Sequence, residues 1–245
     1  MKSSEIAIPV GNLQMPTYVA QPEGSGPHPA VIVLQEIFGL NAEMRRVTDL
    51  LASVGYVGIA INFYHRNAPN FVASYDEAGY AAGYATAGGL TQADLIEDIA
   101  ATVAWLNRQD FVKPDKVATW GFCFGGGAAF LSATLPGIVG AVCFYGGQIS
   151  RPFPNGEPAA LERVPDVRCP VLLCYGADDA AIAPESIERV RSELAEAKKT
   201  HQIQVYPNVG HGFFRRGDLA SDEASAEAIS DSWNLVQTFL RNAFA

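Results

Sequence analysis

The sequence predicts an α/β fold, a mostly parallel central sheet with helices on both faces, built as one domain over residues 1–245. Two observations carry that prediction. Short apolar runs alternate with longer stretches whose apolar residues recur at helical spacing, the pattern of strands separated by covering helices. The length of 245 residues, 49% of them hydrophobic, suits a single α/β domain. A globule of this size buries roughly 70–75% of its unfolded-chain surface, so it needs neither metal nor disulfide to hold together.

The first clear strand is Ala30–Leu34, which follows the Pro- and Gly-rich stretch Gln21–Pro29. Over Ala42–Gly55 the residues Met44, Val47, Leu50, Leu51 and Val54 mark a helix, and Gly55 supplies its stop. Tyr56–Asn62 reads as the second parallel strand. Phe63–Gly89 is rich in Tyr, Ala and Gly with weak periodicity, so it is expected to be a loop with short helices over one end of the sheet. Leu95, Ile99, Val103 and Leu106 make Thr91–Arg108 an amphipathic helix. Strands follow at Lys116–Trp120, Gly140–Tyr145, Val171–Tyr175 and Gln202–Tyr206, and helices near Gly125–Ala133, Pro184–Ala197 and Ala224–Asn242.

A formal charge of −9 argues against a nucleic-acid partner, because phosphate binding needs clustered Lys and Arg. The N-terminus carries charge and proline where a secretory segment needs unbroken apolar residues, and no apolar run approaches the ~18 residues of a membrane span. Cys143, Cys169 and Cys174 sit inside or beside apolar runs, and no CxxC spacing appears, so neither a zinc site nor a redox pair is indicated. The expectation is a cytoplasmic protein, a monomer or weak homodimer, with no cofactor and no membrane partner.

The most informative segment runs from Val117 to Phe130: a strand, then Gly121-Phe-Cys123-Phe-Gly125, then small residues opening a helix. A sharp strand-to-helix turn lifts its central side chain above the sheet, and small neighbours let the backbone fold that tightly. At a helix N-terminus the dipole and free N–H groups favour a thiolate and stabilise an oxyanion. The rival reading makes Cys123 a small filler in a glycine-rich turn; a phosphate loop is disfavoured because GxxxxGK[ST] is missing.

The partners such a nucleophile needs come later in the chain, acid before histidine. Val171–Tyr175 leads into Gly176-Ala-Asp178-Asp179, and Gln202–Tyr206 leads towards His211 between two glycines. Of the four histidines, His28, His65 and His201 are poorly placed, and His211 is the expected proton carrier. Either Asp178 or Asp179 could orient it, the other being a cap or turn residue.

These residues make the chain resemble the dienelactone hydrolases, a family with the α/β-hydrolase fold. The anchors are Val33-Leu-Gln-Glu36-Ile-Phe-Gly-Leu-Asn41, the Gly121-Phe-Cys123-Phe-Gly-Gly elbow, Gly176-x-x-Asp179, and Gly210-His211-Gly-Phe followed by Arg215. The resemblance favours Asp179 over Asp178. It implies a carboxylic ester hydrolase of the carboxymethylenebutenolidase kind, acting on a small-molecule ester or lactone through a Cys123–His211–Asp179 acyl-enzyme. It also implies that Glu36 contacts the thiol and helps to generate the thiolate, against the alternative that it caps the next helix or pairs with Arg45 or Arg46. Ile37 and Phe124 would supply backbone N–H groups to the oxyanion hole. Arg215 would bind a substrate carboxylate, unless it pairs with Asp218 or Asp222 at the surface. The family's second carboxylate-binding arginine has no counterpart in Tyr75–Tyr84; Arg66 is the one arginine of 63–89. The dienelactone itself is therefore in question. The alternatives are a promiscuous carboxylesterase, thioesterase or organophosphate hydrolase on the same scaffold, or a ligand-binding protein that has kept the fold without turnover.

Overall fold

The computed structural model describes residues 1–24, 26–215 and 223–245. Its centre is an eight-stranded sheet of order β1-β2-β4-β3-β5-β6-β7-β8. The strands are β1 Lys2–Val10, β2 Leu13–Gln21, β3 His28–Leu34, β4 Val57–Ile61, β5 Val112–Phe122, β6 Ile138–Phe144, β7 Val171–Gly176 and β8 His201–Tyr206. The run β4-β3-β5-β6-β7-β8 is parallel throughout, as the buried apolar segments require.

The N-terminal pair β1 and β2 is absent from the sequence-based expectation. It forms an antiparallel hairpin in which Val10 faces Leu13 across Gly11-Asn12, and β2 then pairs antiparallel with β4. Its period-two signal is short: Ile6, Ile8 and Val10 turn inwards while their neighbours are exposed. Pro9 and Pro16, residues that ordinarily argue against a strand, interrupt the pattern.

The described residues form six α-helices around the sheet: α1 Ala42–Ser53, α2 Glu77–Ala87, α3 Gln92–Leu106, α4 Phe124–Ser132, α5 Pro184–Glu196 and α6 Glu223–Phe244. Asn41 caps α1 by accepting from the Glu43 and Met44 amides, and Thr91 with Asp94 closes a capping box on α3. The expected loop over 63–89 holds a 3₁₀ turn, Phe63–Arg66, and the eleven-residue α2. That helix evades periodicity because its buried positions are Gly79, Gly83 and Ala87 while Tyr80 and Tyr84 are exposed, the reverse of an ordinary apolar stripe.

The topology fixes where chemistry can occur. After β3 the chain goes to one side to make β4, then crosses back to make β5 on the other. The loops leaving β3 and β5 therefore diverge, and a crevice opens at their carboxyl ends. Leu34 lies level with Gly121, and Phe122 with Phe144, so the residues that follow these strands emerge at one height.

Below that rim Trp120 is fully buried and stacks on Trp233 of α6 at 5.6 Å, with Phe122, Phe144 and Phe214 within 5.0–5.3 Å. Truncating so large a buried ring removes packing on four sides. Trp120→Ala should cost about 3–5 kcal/mol, read as a lower urea midpoint at unchanged slope. A loss below about 1 kcal/mol would show that this cluster does not anchor α6.

Candidate active site

At the junction of β5 and α4 the backbone of Cys123 adopts φ +53° and ψ −113°, a conformation an L-residue takes only under constraint. The constraint is visible in the flanking glycines. A Cβ on Gly121 would fall on the carbonyl oxygen of Gly125, and one on Gly125 would fall on the carbonyls of Leu34 and Gln35. Only the bare backbone lets α4 start this close to β3 and β5. The Cys123 amide donates to Phe144 O at 3.0 Å, which ties the elbow to β6. The thiol is half-buried at the helix N-terminus, whereas Cys143, Cys169 and Cys174 are buried, and all four are free. Burial drives the Cys143 and Cys174 thiols far above their ordinary range and pushes Cys169 up to about 12.

His211 meets Asp179 at the same rim, its Nδ1 donating to Oδ2 at 2.7 Å. The Asp179 side chain is fully buried, and its other oxygen accepts from the Ala181 amide at 2.8 Å, so the carboxylate is held at both ends. Asp178, by contrast, is exposed and lines the cavity beside Cys123. The His211 loop is fastened from below. Phe213 packs on Phe144, Tyr145 and Tyr206, and Phe214 on Trp120, Phe122 and Phe144. Burial alone would lower the His211 imidazole, but the Cys123 charge and the Asp179 hydrogen bond outweigh it and hold the group up to about 10.

Glu36 follows β3 and is 1% exposed; neither carboxylate oxygen has a partner of good hydrogen-bond geometry, and the Tyr75 hydroxyl is the polar group near enough to act on it as a donor. Burial raises its carboxyl, opposed chiefly by the Arg215 guanidinium. Arg215 Nε stands 3.8 Å from Glu36 Oε1, with Cζ 4.3 Å from the centre of the Tyr75 ring and Nε donating to Gly212 O. Asn41 caps α1, Arg45 pairs with Glu5 and Arg46 with Glu43, so Glu36 takes none of the helix-capping or ion-pair roles weighed for it. The Arg215 side chain is 14% exposed and faces Glu36, and it is not among the residues that line the cavity. Asp218 and Asp222 lie outside the described residues. Arg66 is committed to Asp94, Glu97 and Asp98 of α3 and adds nothing to the site.

The Ile37 amide, expected in the oxyanion hole, donates to no described group, while its carbonyl accepts from the buried Tyr64 hydroxyl at 3.0 Å. Phe124 is the first residue of α4, and a first-turn helix amide has no intrahelical acceptor. Three participants were not singled out from sequence: Tyr64, Tyr145 and Arg151. Tyr145 adopts φ +39° at the end of β6, and its ring lies 5.1 Å from the His211 ring. Its place directly after a core strand was the available signal. Arg151, in the Ser-Arg-Pro-Phe loop after β6, lines the cavity with Cys123 and His211. That cavity measures about 680 Å³. Among the described residues no group of three or more His, Cys, Asp or Glu is arranged to hold a metal ion, and no helix is long and apolar enough to cross a membrane.

The sequence model of the dienelactone hydrolase family matches residues 15–244. A Synechocystis sp. protein named "Putative carboxymethylenebutenolidase" is 35% identical over 239 residues, 97% of this chain and 95% of its own. The crystal structure named "Putative Dienelactone Hydrolase" from Klebsiella pneumoniae superposes with TM-score 0.86 at 29% identity, covering 98% of both chains. A dienelactone hydrolase-like promiscuous phosphotriesterase from metagenomic libraries shares the fold, with TM-score 0.80 at 24% identity over 100% of this chain and 99% of that one.

The geometry separates the two aspartates by experiment. Asp179→Asn leaves the imidazole without its carboxylate and should lower kcat by about 10²–10⁴-fold, while Asp178→Asn should stay within a few-fold. Equal losses would detach His211 from Asp179 in function. The raised imidazole gives a second test. Its stabilising charge is fully present below pH 6.5 and is lost as pH rises through about 10. Cys123→Ser removes the sulfur's contribution to the raised imidazole and should lower the His211 titration in NMR by at least about one unit; an unmoved titration would mean that the thiol does not act on the imidazole.

Proposed function

The chain belongs to the dienelactone hydrolase family, and from that membership together with the site geometry we propose that it hydrolyses a carboxylic ester or lactone through an acyl-enzyme on Cys123. The observation that carries the reading is a single one: an imidazole held by a buried carboxylate stands within hydrogen-bonding reach of a thiol perched on a strained elbow.

In the proposed sequence the Cys123 thiolate attacks the carbonyl carbon, and the carbonyl π electrons move to oxygen. The Ile37 and Phe124 amides face that oxygen and stabilise its developing charge. The tetrahedral species collapses as the C–O bond to the leaving group breaks, and the alkoxide takes the proton held on His211. For a lactone the released hydroxyl stays on the same molecule as the thioester. His211, now neutral, accepts a proton from water as that water attacks the thioester, and Cys123 departs as the anion. Asp179 holds the imidazole in one tautomer and orientation throughout.

Glu36 suits a supporting role in forming the thiolate. It is a buried carboxylate whose burial disfavours the charged form, and Arg215 is the nearest group that opposes this, with Tyr75 and His211 adding to it. The four free cysteines fit a reducing, cytoplasmic setting.

Cys123→Ala is the decisive variant. The side chain projects from the elbow rather than into the core, so the fold should survive while kcat on 4-nitrophenyl esters falls by more than about a thousandfold. Circular dichroism checks the fold and stopped-flow absorbance the rate. Retention of ordinary turnover would refute the nucleophile, and a wild-type protein inert towards every activated ester would favour a binding role for this fold.

A further inference from the structure

The wall of the catalytic cavity carries a cation that the proposed chemistry leaves unused. Arg151 follows the 3₁₀ turn Gly147–Ile149, and its amide donates to Gly147 O at 3.1 Å. Its side chain folds back over that turn. A Cβ on Gly147 would collide with Arg151 Nη2 and sit 3.1 Å from Cζ, so glycine makes the room in which the guanidinium lies. The same turn abuts the helix that begins at the nucleophile: a Cβ on Gly126 would lie 2.8 Å from Gly146 Cα. The guanidinium is therefore placed by the backbone that buttresses the elbow.

Among the arginines near the site, Arg151 is the one that lines the cavity, and it does so without a carboxylate partner among the described residues. Arg45, Arg46, Arg66 and Arg215 each face a carboxylate. Arg151 is exposed and makes neither an ion pair nor a side-chain hydrogen bond with any described residue, in a chain of net charge −9. Asp178 also lines the cavity, and the two form no ion pair. The same cavity is lined by Tyr80 and Tyr84 of α2, stacked at 6.3 Å with 16° between planes, and 52% and 45% exposed. Large aromatic faces left open beside a free guanidinium suit a ligand with a flat or apolar body and an anionic end.

We propose that Arg151 is the anion-recognition residue of this cavity, and that the preferred substrate is an ester whose acyl part lies along Tyr80 and Tyr84 and ends in a carboxylate at Arg151. This rests on the ester-hydrolase reading and adds a cation on the cavity wall to the Arg215 that faces Glu36. A planar guanidinium offers a carboxylate two parallel hydrogen bonds, which gives direction as well as charge.

The test compares 4-nitrophenyl half-esters of succinate, glutarate and adipate with neutral 4-nitrophenyl butyrate. In Arg151→Gln the kcat/KM ratio of the best half-ester to butyrate should fall about tenfold, as expected for one solvent-accessible charged hydrogen-bond pair. Arg151→Lys, which keeps the charge but loses the fork, should recover part of it. A ratio unchanged for all three half-esters would overturn the assignment. A second measurement needs no turnover: glutarate should slow iodoacetamide alkylation of Cys123 in the wild type and not in Arg151→Gln. Equal protection in both proteins would overturn the assignment as well. If no ester is hydrolysed, the ester-hydrolase reading fails on its own and glutarate protection still decides the role of Arg151.

Discussion

The left-handed backbone at Cys123 is the constraint on which the site depends. Holding a non-glycine residue there costs about 1–3 kcal/mol, and the surroundings must over-determine it. They do so through contact rather than through any strong bond. Gly121 and Gly125 bring α4 against the ends of β3 and β5 so closely that no side chain fits, and every residue of α4 is buried. A helix seated that deeply cannot relax without uncovering the core, so the strain stays where the chemistry uses it. The same seating puts the helix N-terminus, with its unpaired amides and positive end, under the thiol.

Around the elbow two carboxylate–cation couples are treated differently. Asp179 is saturated: it accepts from His211 and from a backbone amide, and it can do little but hold the ring. Glu36 has no partner of good hydrogen-bond geometry, with the Tyr75 hydroxyl nearby, and it faces Arg215 at 3.8 Å, longer than a hydrogen-bonded pair. One carboxylate is fixed and the other is responsive, as expected when one group orients a base and another adjusts the charge beside a nucleophile. The aromatic packing of Phe213 and Phe214 into the β5–β6 core keeps the imidazole at the height of the elbow. Core burial and catalytic alignment therefore depend on the same side chains.

How much of this was legible in the sequence follows from how each feature announces itself. The parallel strands are long apolar runs, and the elbow is a run of small residues after one of them; both are local. Asp179 and His211 stand in the loops that leave β7 and β8, which puts both at the rim, and their 2.7 Å contact joins residues 32 positions apart. The hairpin β1–β2 was hidden by its prolines and short inward face. Helix α2 was hidden because glycines and alanine form its packing face. The engagement of Arg215 with Glu36 joins distant parts of the chain and has no local signature. Arg151 in a loop after β6 looks like any surface arginine, and only the cavity gives it meaning.

The account requires a covalent intermediate on one particular sulfur. Rapid-quench of the wild-type enzyme with a neutral 4-nitrophenyl ester, followed by peptide mass mapping, tests this directly. An acyl group on the peptide containing Cys123, formed in the burst of nitrophenolate release and lost at the steady-state rate, is the predicted result. Full turnover with Cys123 unmodified at every quench time, or an acyl group on another residue that turns over at the catalytic rate, would contradict it.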